Sequence, residues 1–534
     1  GLVGSEMCIR DRVINSTPSG STYTNSGTLS GSQNGVEINA AINTVTNTST
    51  GKITGSIGMP ILSYATIGTL ANSGILTGGS AGVVNWAGVG LLNNAGKILA
   101  PGNVYGPTGY GIQNEGGIGT LTNSGTISSS MLGVSNQYGP GTGSLNNSGT
   151  IVGSVSGLQN SLSIGNLSNS GVIQNTGYKN SNPYLPQLGA AIWNYGYIKF
   201  AQITTLTNSG TITSTQYGIA NNGYTLWGVN YTANINSINN TGYIYGDIYG
   251  IYNYFLGTIG SLTNGGKLQG SQAGIYNSAT FGNITNNTGG TISGGQGSYG
   301  IYNSGVMGTL TNYGSIGGQQ FGLYNTGTTN ALVNYQSGTI NGGAGSSGIY
   351  NNGTLGAVQN DGLITSTNTG FYNTGTGNGL TNTGTIYGGN YGIYNASSFG
   401  NLTNTTTGTI SGAQGVAGIY NSGAMGTVSN HGSIGALQYG LNNSGSVGTV
   451  SNDGTISASQ YGLYNSGSMG LLQNSTTGTI SGGLGSYGIY NGGSIGTVSN
   501  FGTIGAQQYG FYNAGTMGLL LNNAGGTVSY THLR

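Results

Sequence analysis

The chain has 534 residues, of which 111 are Gly and 37 Tyr; 3% are charged and the formal net charge is +1. So few basic residues exclude a protein that grips nucleic acid through its phosphates, which needs clustered Lys and Arg. The 9% aromatic content argues against a charge-driven disordered chain. Glycine without a three-residue period excludes collagen, no apolar run reaches the ~18 residues of a membrane-spanning helix, and a single Cys, Cys8, excludes an intrachain disulfide framework.

The first twelve residues, GLVGSEMCIRDR, hold Cys8, Arg10 and Arg12, and the last six, SYTHLR, hold Arg534. The interior from 13 to 528 contains five Lys, two Glu, three Asp and no Arg, and its net charge is zero. Both tails resemble translated sequencing-adapter read-through from environmental DNA, so 1–12 and 529–534 are expected to be non-native and set aside from fold reasoning. The remainder, 13–528, then reads as an interior piece of a longer chain and as one repeat domain.

The repeat begins near Tyr23. Its first element is Leu-x-Asn-x-Gly-x-Ile, with early copies at Tyr23 to Leu29 and Val45 to Ile53, and later ones at Leu121 to Ile127, Leu310 to Ile316 and Val498 to Ile504. Twenty-one copies fill the chain, the last starting at Leu520. The stretch from about 174 to 203, with Pro183 and Pro186, is the least regular and is predicted to be a loop insertion on one rung. From Gly250 onward a second element, Gly-Ile-Tyr-Asn, recurs mostly every 22 or 26 residues, and 391–460 aligns with 461–530 without a gap. A fixed period in this range marks a repeat architecture.

One unit, Gly300 to Phe321, reads GIYNSGVMGTLTNYGSIGGQQF. Its aliphatics Ile301, Leu310 and Ile316 sit in short runs bounded by Gly, Asn, Ser and Thr, which are turn residues. Glycine at this density works against helix. Three short strands per coil, stacked at the ~4.8 Å spacing of sheet neighbours, give an all-β parallel β-helix: a three-sided solenoid of about 21 rungs of 22 or 26 residues. Alternation points Ile inward, Tyr outward and Asn inward in Gly-Ile-Tyr-Asn. Asn at a repeated inward turn is expected to form a side-chain amide ladder.

Candidate chemistry is sparse. Catalysis on such a scaffold needs grouped acids or bases, but Glu37, Glu115, Asp247, Asp361 and Asp453 are scattered. His431 and Asp453 share one slot on successive rungs and read as a solvated turn pair. Calcium-binding solenoids need an Asp in each repeat, and those positions here hold Asn, Ser and Thr. No catalytic residue, metal ligand or cofactor is therefore expected. The strongest surface feature is a column formed by Tyr302, Tyr324, Tyr350, Tyr372, Tyr394, Tyr420, Tyr464, Tyr490 and Tyr512, within the range of offset ring pairs. It reads as a stabilising edge or as a strip contacting sugar rings or a partner protein. Outward Thr rows, such as Thr385, Thr409, Thr479 and Thr503, fit strand propensity or an ice-binding array, though Ser433 interrupts the row. Met307, Met425, Met469 and Met517 recur in one slot and are expected to fill core or corners.

The repeats GIYNSG and GTLTNSGTISG resemble those of bacterial autotransporter passenger domains and filamentous-haemagglutinin-like adhesins. The resemblance covers the interior in style and period. It implies display at the bacterial outer membrane or secretion, as a non-catalytic adhesive or structural stalk. It also implies an N-terminal export signal, an outer-membrane translocator barrel, and host or neighbour-cell surface glycans or proteins as partners. A polysaccharide-acting β-helix enzyme and an ice-binding solenoid are the alternatives.

Overall fold

The computed structural model describes residues 12–14, 21–102, 109–177, 189–197, 199–295, 298–413, 415–483 and 486–530. Most of both tails, and 178–188 of the expected insertion, lie outside the described residues. The described residues form strands and turns with no helix, and the fold is a parallel β-solenoid. Two compact units divide the chain, one comprising Gly1–Ser271 and Ala279–Gly282, the other Gln272–Ser278 and Asn283–Arg534.

In the second unit each coil contributes three strands, for example Tyr299–Asn303, Val306–Asn312 and Ser315–Gly318. Each strand pairs in parallel with its copy one rung on, so that Ile301 meets Leu323, Leu310 meets Leu332 and Ile316 meets Ile340. These side chains are fully buried, and burying each is worth about 1.5–3 kcal/mol relative to exposure. The Gly of Gly-Ile-Tyr-Asn is required by close approach. A Cβ at Gly300 would stand 2.6 Å from the Gly322 carbonyl oxygen and 2.8 Å from a methyl of Ile316.

A further core column was not among the three aliphatic positions expected from the sequence. Met307, Thr329, Leu355, Gly377, Phe399, Met425, Val447, Met469 and Ile495 lie in register, with large and small side chains compensating one another. Met307, Met425 and Met469 are buried, filling irregular space as unbranched thioethers do. Met517, in the last full coil, is only half-buried.

Two asparagine ladders line each unit. In the second, Asn325 Nδ2 donates to Asn351 Oδ1 and Asn351 Nδ2 to Asn373 Oδ1, both at 2.8 Å. The parallel ladder runs Asn312 to Asn334 to Asn360, also at 2.8 Å. Each amide also satisfies turn carbonyls: Asn325 Nδ2 donates to Gly327 O at 3.2 Å and Thr354 O at 3.0 Å. Buried turn backbone that would otherwise lack partners is thereby paired. The longer repeats keep the same ladder. Asn404 Nδ2 reaches Gly408 O at 3.1 Å across a four-residue turn, where Asn382 Nδ2 reaches Gly384 O at 3.1 Å across two.

The first unit uses the same construction. Leu70, Leu92, Leu121, Leu145, Leu167, Leu206, Ile238 and Leu262 form one buried column in register. Its amide ladders run Asn47 to Asn72 to Asn94 and Asn114 to Asn136 to Asn160. It differs from the second unit by an antiparallel hairpin, Tyr224–Leu226 against Val229–Tyr231.

Candidate functional site

The tyrosine column predicted from the sequence lies on the outer face of the second unit. Its nine members stand half-buried, except Tyr512, which is exposed. Register places Tyr302, Tyr324, Tyr350, Tyr372, Tyr394 and Tyr420 in one line. Asn442 then interrupts it before Tyr464, Tyr490 and Tyr512 continue.

A second column runs beside the first, one residue before the Gly. It includes Tyr299, Phe321 and Tyr391, and then Tyr439, Tyr461, Tyr487 and Tyr509 in unbroken register. Sequence reasoning missed this column because the intervening buried Gly breaks simple two-residue alternation. The signal that could have revealed it is the tetrad Tyr-Gly-x-Tyr at 299–302, 391–394, 461–464, 487–490 and 509–512.

The rings pack on one another. Tyr464 and Tyr490 stack with centroids 5.0 Å apart and 5° between planes, and Tyr461 and Tyr487 at 5.3 Å and 4°. Tyr372 and Tyr394 stack at 4.6 Å and 15°, whereas Tyr350 meets Tyr372 edge-to-face at 5.1 Å. Stacked faces are covered by neighbours along the column, so over much of its length the strip offers ring edges and hydroxyls. Burial, followed by the adjacent phenols, pushes up the pKa values of Tyr299, Tyr324, Tyr372, Tyr391, Tyr439 and Tyr461. These side chains are therefore neutral hydrogen-bonding groups near neutral pH. The Thr row also lies in register, as Thr385, Thr409, Ser433, Thr455, Thr479 and Thr503.

His431 and Asp453 are brought together, with Nδ1 and Oδ2 3.0 Å apart. Ser429 Oγ lies 3.1 Å from His431 Nε2, a contact the sequence reading did not include. The three polar groups form a chain of the Ser-His-Asp kind. The His431 and Asp453 side chains are 40% and 34% exposed, in the turns that follow Asn430 and Asn452, where water screens the pair. Among the described residues, no three His, Cys, Asp or Glu gather closely enough to hold a metal ion.

The first unit carries a different aromatic concentration, at the corner that follows the inward Asn. Trp193 stacks on Tyr195 at 4.8 Å, Tyr195 on Tyr197 at 5.6 Å, and Tyr197 meets Tyr224 at 5.3 Å. Trp193 Nε1–H donates to Asn222 Oδ1 at 2.9 Å. Burial, then Tyr224 and Tyr197, push the Tyr195 pKa up to about 12. No family model matches the chain, and no curated protein or solved structure shows a significant match to it.

Proposed function

We propose that this chain serves as a non-catalytic adhesin or structural stalk, displayed at the bacterial cell surface or secreted. The observation that carries this reading is the double tyrosine column. A long, neutral, regularly spaced aromatic and hydroxyl surface on a rigid solenoid suits repeated contact with host or neighbour-cell glycans or proteins. The resemblance of the repeats to autotransporter passenger and filamentous-haemagglutinin-like sequences supports the same assignment. The test is adhesion of the purified chain to cells, compared with a variant carrying Tyr→Ala at 324, 350, 372 and 394. Loss of adhesion with retained fold supports the strip as the contact surface; full adhesion removes it.

One observation favours a second reading, a hydrolase: the Ser429–His431–Asp453 chain of contacts. Turnover of an activated ester that disappears in Ser429→Ala would establish that reading, and we expect none. Incubation with acidic and neutral polysaccharides, with products followed by reducing-end release, tests the glycan-cleaving alternative.

A further inference from the structure

In the second unit the corner between the Gly-Ile-Tyr-Asn strand and the next strand always spends two residues, as Ser304 and Gly305 do. In the first unit the equivalent corners after Asn136, Asn160, Asn194, Asn221 and Asn253 spend four, two, six, eleven and three. Insertions of this kind, gathered on one side of a repeat scaffold, are where such proteins carry binding sites.

Backbone strain gathers at the same corner. Non-glycine residues with positive φ among the described residues are Tyr138 (φ 73), Trp227 (φ 50), Phe255 (φ 20), Leu256 (φ 59) and Ala413 (φ 33), and the first four belong to these insertions. Trp227 and Gly228 (φ 78) make the paired positive-φ turn of a two-residue hairpin, with Trp227 93% exposed at its tip. Bulky residues disfavour this backbone region, and such conformations persist where the surroundings enforce them, often at ligand sites. Lys199 Nζ donates to the Tyr138 carbonyl oxygen at 3.0 Å, across 61 residues of sequence, and so ties two of these insertions together.

Tyr138, Tyr197, Lys199, Gln137, Gln159 and Ser161 line a cleft here. Tyr138 is 53% exposed and, unlike the stacked tyrosines, has no ring partner among the described residues. Gln137 Nε2 is anchored to Ser135 Oγ at 2.8 Å, which leaves its carbonyl oxygen available. The Gln159 amide makes no hydrogen bond among the described residues. Glu115, which follows Asn114, the rung partner of Asn136, opposes the Lys199 ammonium of the lining, so the two charges offset and neither sign of ligand is favoured.

We infer that a neutral pyranose of a glycan chain lies across the mouth of this cleft, whose own volume of about 40 Å³ admits no more than a hydroxyl or a water, with its apolar C–H face against the exposed Tyr138 ring and its hydroxyls on Gln137, Gln159 and Ser161. An aromatic platform with a few convergent amides and a hydroxyl is the chemistry such a ring needs. The inference rests on the adhesive reading only in supposing that the surface has a ligand.

The test screens the full chain against an array of neutral and acidic oligosaccharides and titrates the best neutral binder into the native chain, Tyr138→Gly, Gln159→Ala and, as a control, Tyr387→Ala, an exposed ring outside both the cleft and the tyrosine columns. Glycine removes the ring while accepting the positive φ, so Tyr138→Gly is expected to fold, with circular dichroism as the check. Affinity reduced at least about tenfold in Tyr138→Gly and Gln159→Ala, and unchanged in Tyr387→Ala, supports the site. Absence of neutral binding, binding restricted to acidic glycans, or affinity unchanged in Tyr138→Gly and Gln159→Ala overturns it. Cell adhesion without any array binding removes this site and leaves the adhesive reading standing. Array binding without adhesion does the reverse.

Discussion

Gly377 lies directly opposite Phe399 in the parallel ladder, and a Cβ at Gly377 would stand 2.5 Å from Phe399 Cδ2. Phe399 in turn meets Phe371 edge-to-face at 5.7 Å, and both rings are buried. The missing side chain on one rung is the space occupied by the large one on the next. Gly377→Ala is therefore expected to destabilise the second unit by about 1–3 kcal/mol through overpacking. Adding Phe399→Leu should recover part of the loss. Hydrogen exchange of the strands Thr376–Asn382 and Ser398–Asn404 in both variants measures it.

Asn351 is fully buried, accepts from Asn325 and donates to Asn373, Gly353 O and Thr376 O. Asn351→Leu leaves the Asn373 Oδ1 without its donor, a cost of about 1–3 kcal/mol for a buried unsatisfied group, while Gly353 O keeps the Thr376 backbone N–H at 2.8 Å. The expected result is local opening around this rung, detected as new protease cleavage near residue 351 while more distant rungs stay protected.

Asn442 occupies the tyrosine slot between Tyr420 and Tyr464, is 8% exposed, and its Oδ1 has no hydrogen-bond partner. Asn442→Tyr removes the unsatisfied oxygen and joins the two segments of the column. A gain of about 0.5–1.5 kcal/mol is expected from the added ring pairs, seen as a higher thermal midpoint. A lower midpoint would show that the neighbouring rings cannot move aside.

Tyr195 links stability to alkaline pH. Its folded pKa, pushed up to about 12 by burial and then by Tyr224 and Tyr197, lies above the unfolded value of 10.0. The neutral phenol is favoured in the fold, so this stabilisation is fully present below pH 10 and is lost as pH rises from there towards about 12. Tyr195→Phe should flatten the fall in stability of the first unit across that window. Thermal melts of both chains at stepped pH give the comparison.

The His431–Asp453 pair is exposed, and such pairs contribute at most about 1 kcal/mol. His431→Ala is expected to leave the melting curve unchanged within that margin, and to do so equally at high and low salt.

The period, the strand faces, the inward asparagines and the first tyrosine column were legible because each repeats in a fixed slot, and a side chain that recurs at one register position has one environment. The second column escaped because Gly300 and its copies interrupt the alternation on which face assignment rests. The column through Met307, Gly377 and Phe399 escaped in part because its members differ in chemistry and share only a combined volume. At the elaborated corner of the first unit, a reading built on periodicity treats departures from the period as loops. The expected insertion, about 174 to 203, takes in 194–201, but the other source of the aromatic cluster, 221–233, lies outside it, and the contacts between them depend on neighbouring rungs.

In both ladders of the second unit every side-chain amide points the same way, Nδ2 toward the following rung, from Asn286 and Asn277 onward. Dipoles aligned head to tail add, as peptide dipoles do along a helix, and each bond polarises the next. A unit with almost no formal charge thus acquires an electrical direction, positive toward the rungs near Asn513 and Asn522. Side-by-side copies of this unit would gain by lying in opposite directions, so that a bundle cancels the field that a single copy carries.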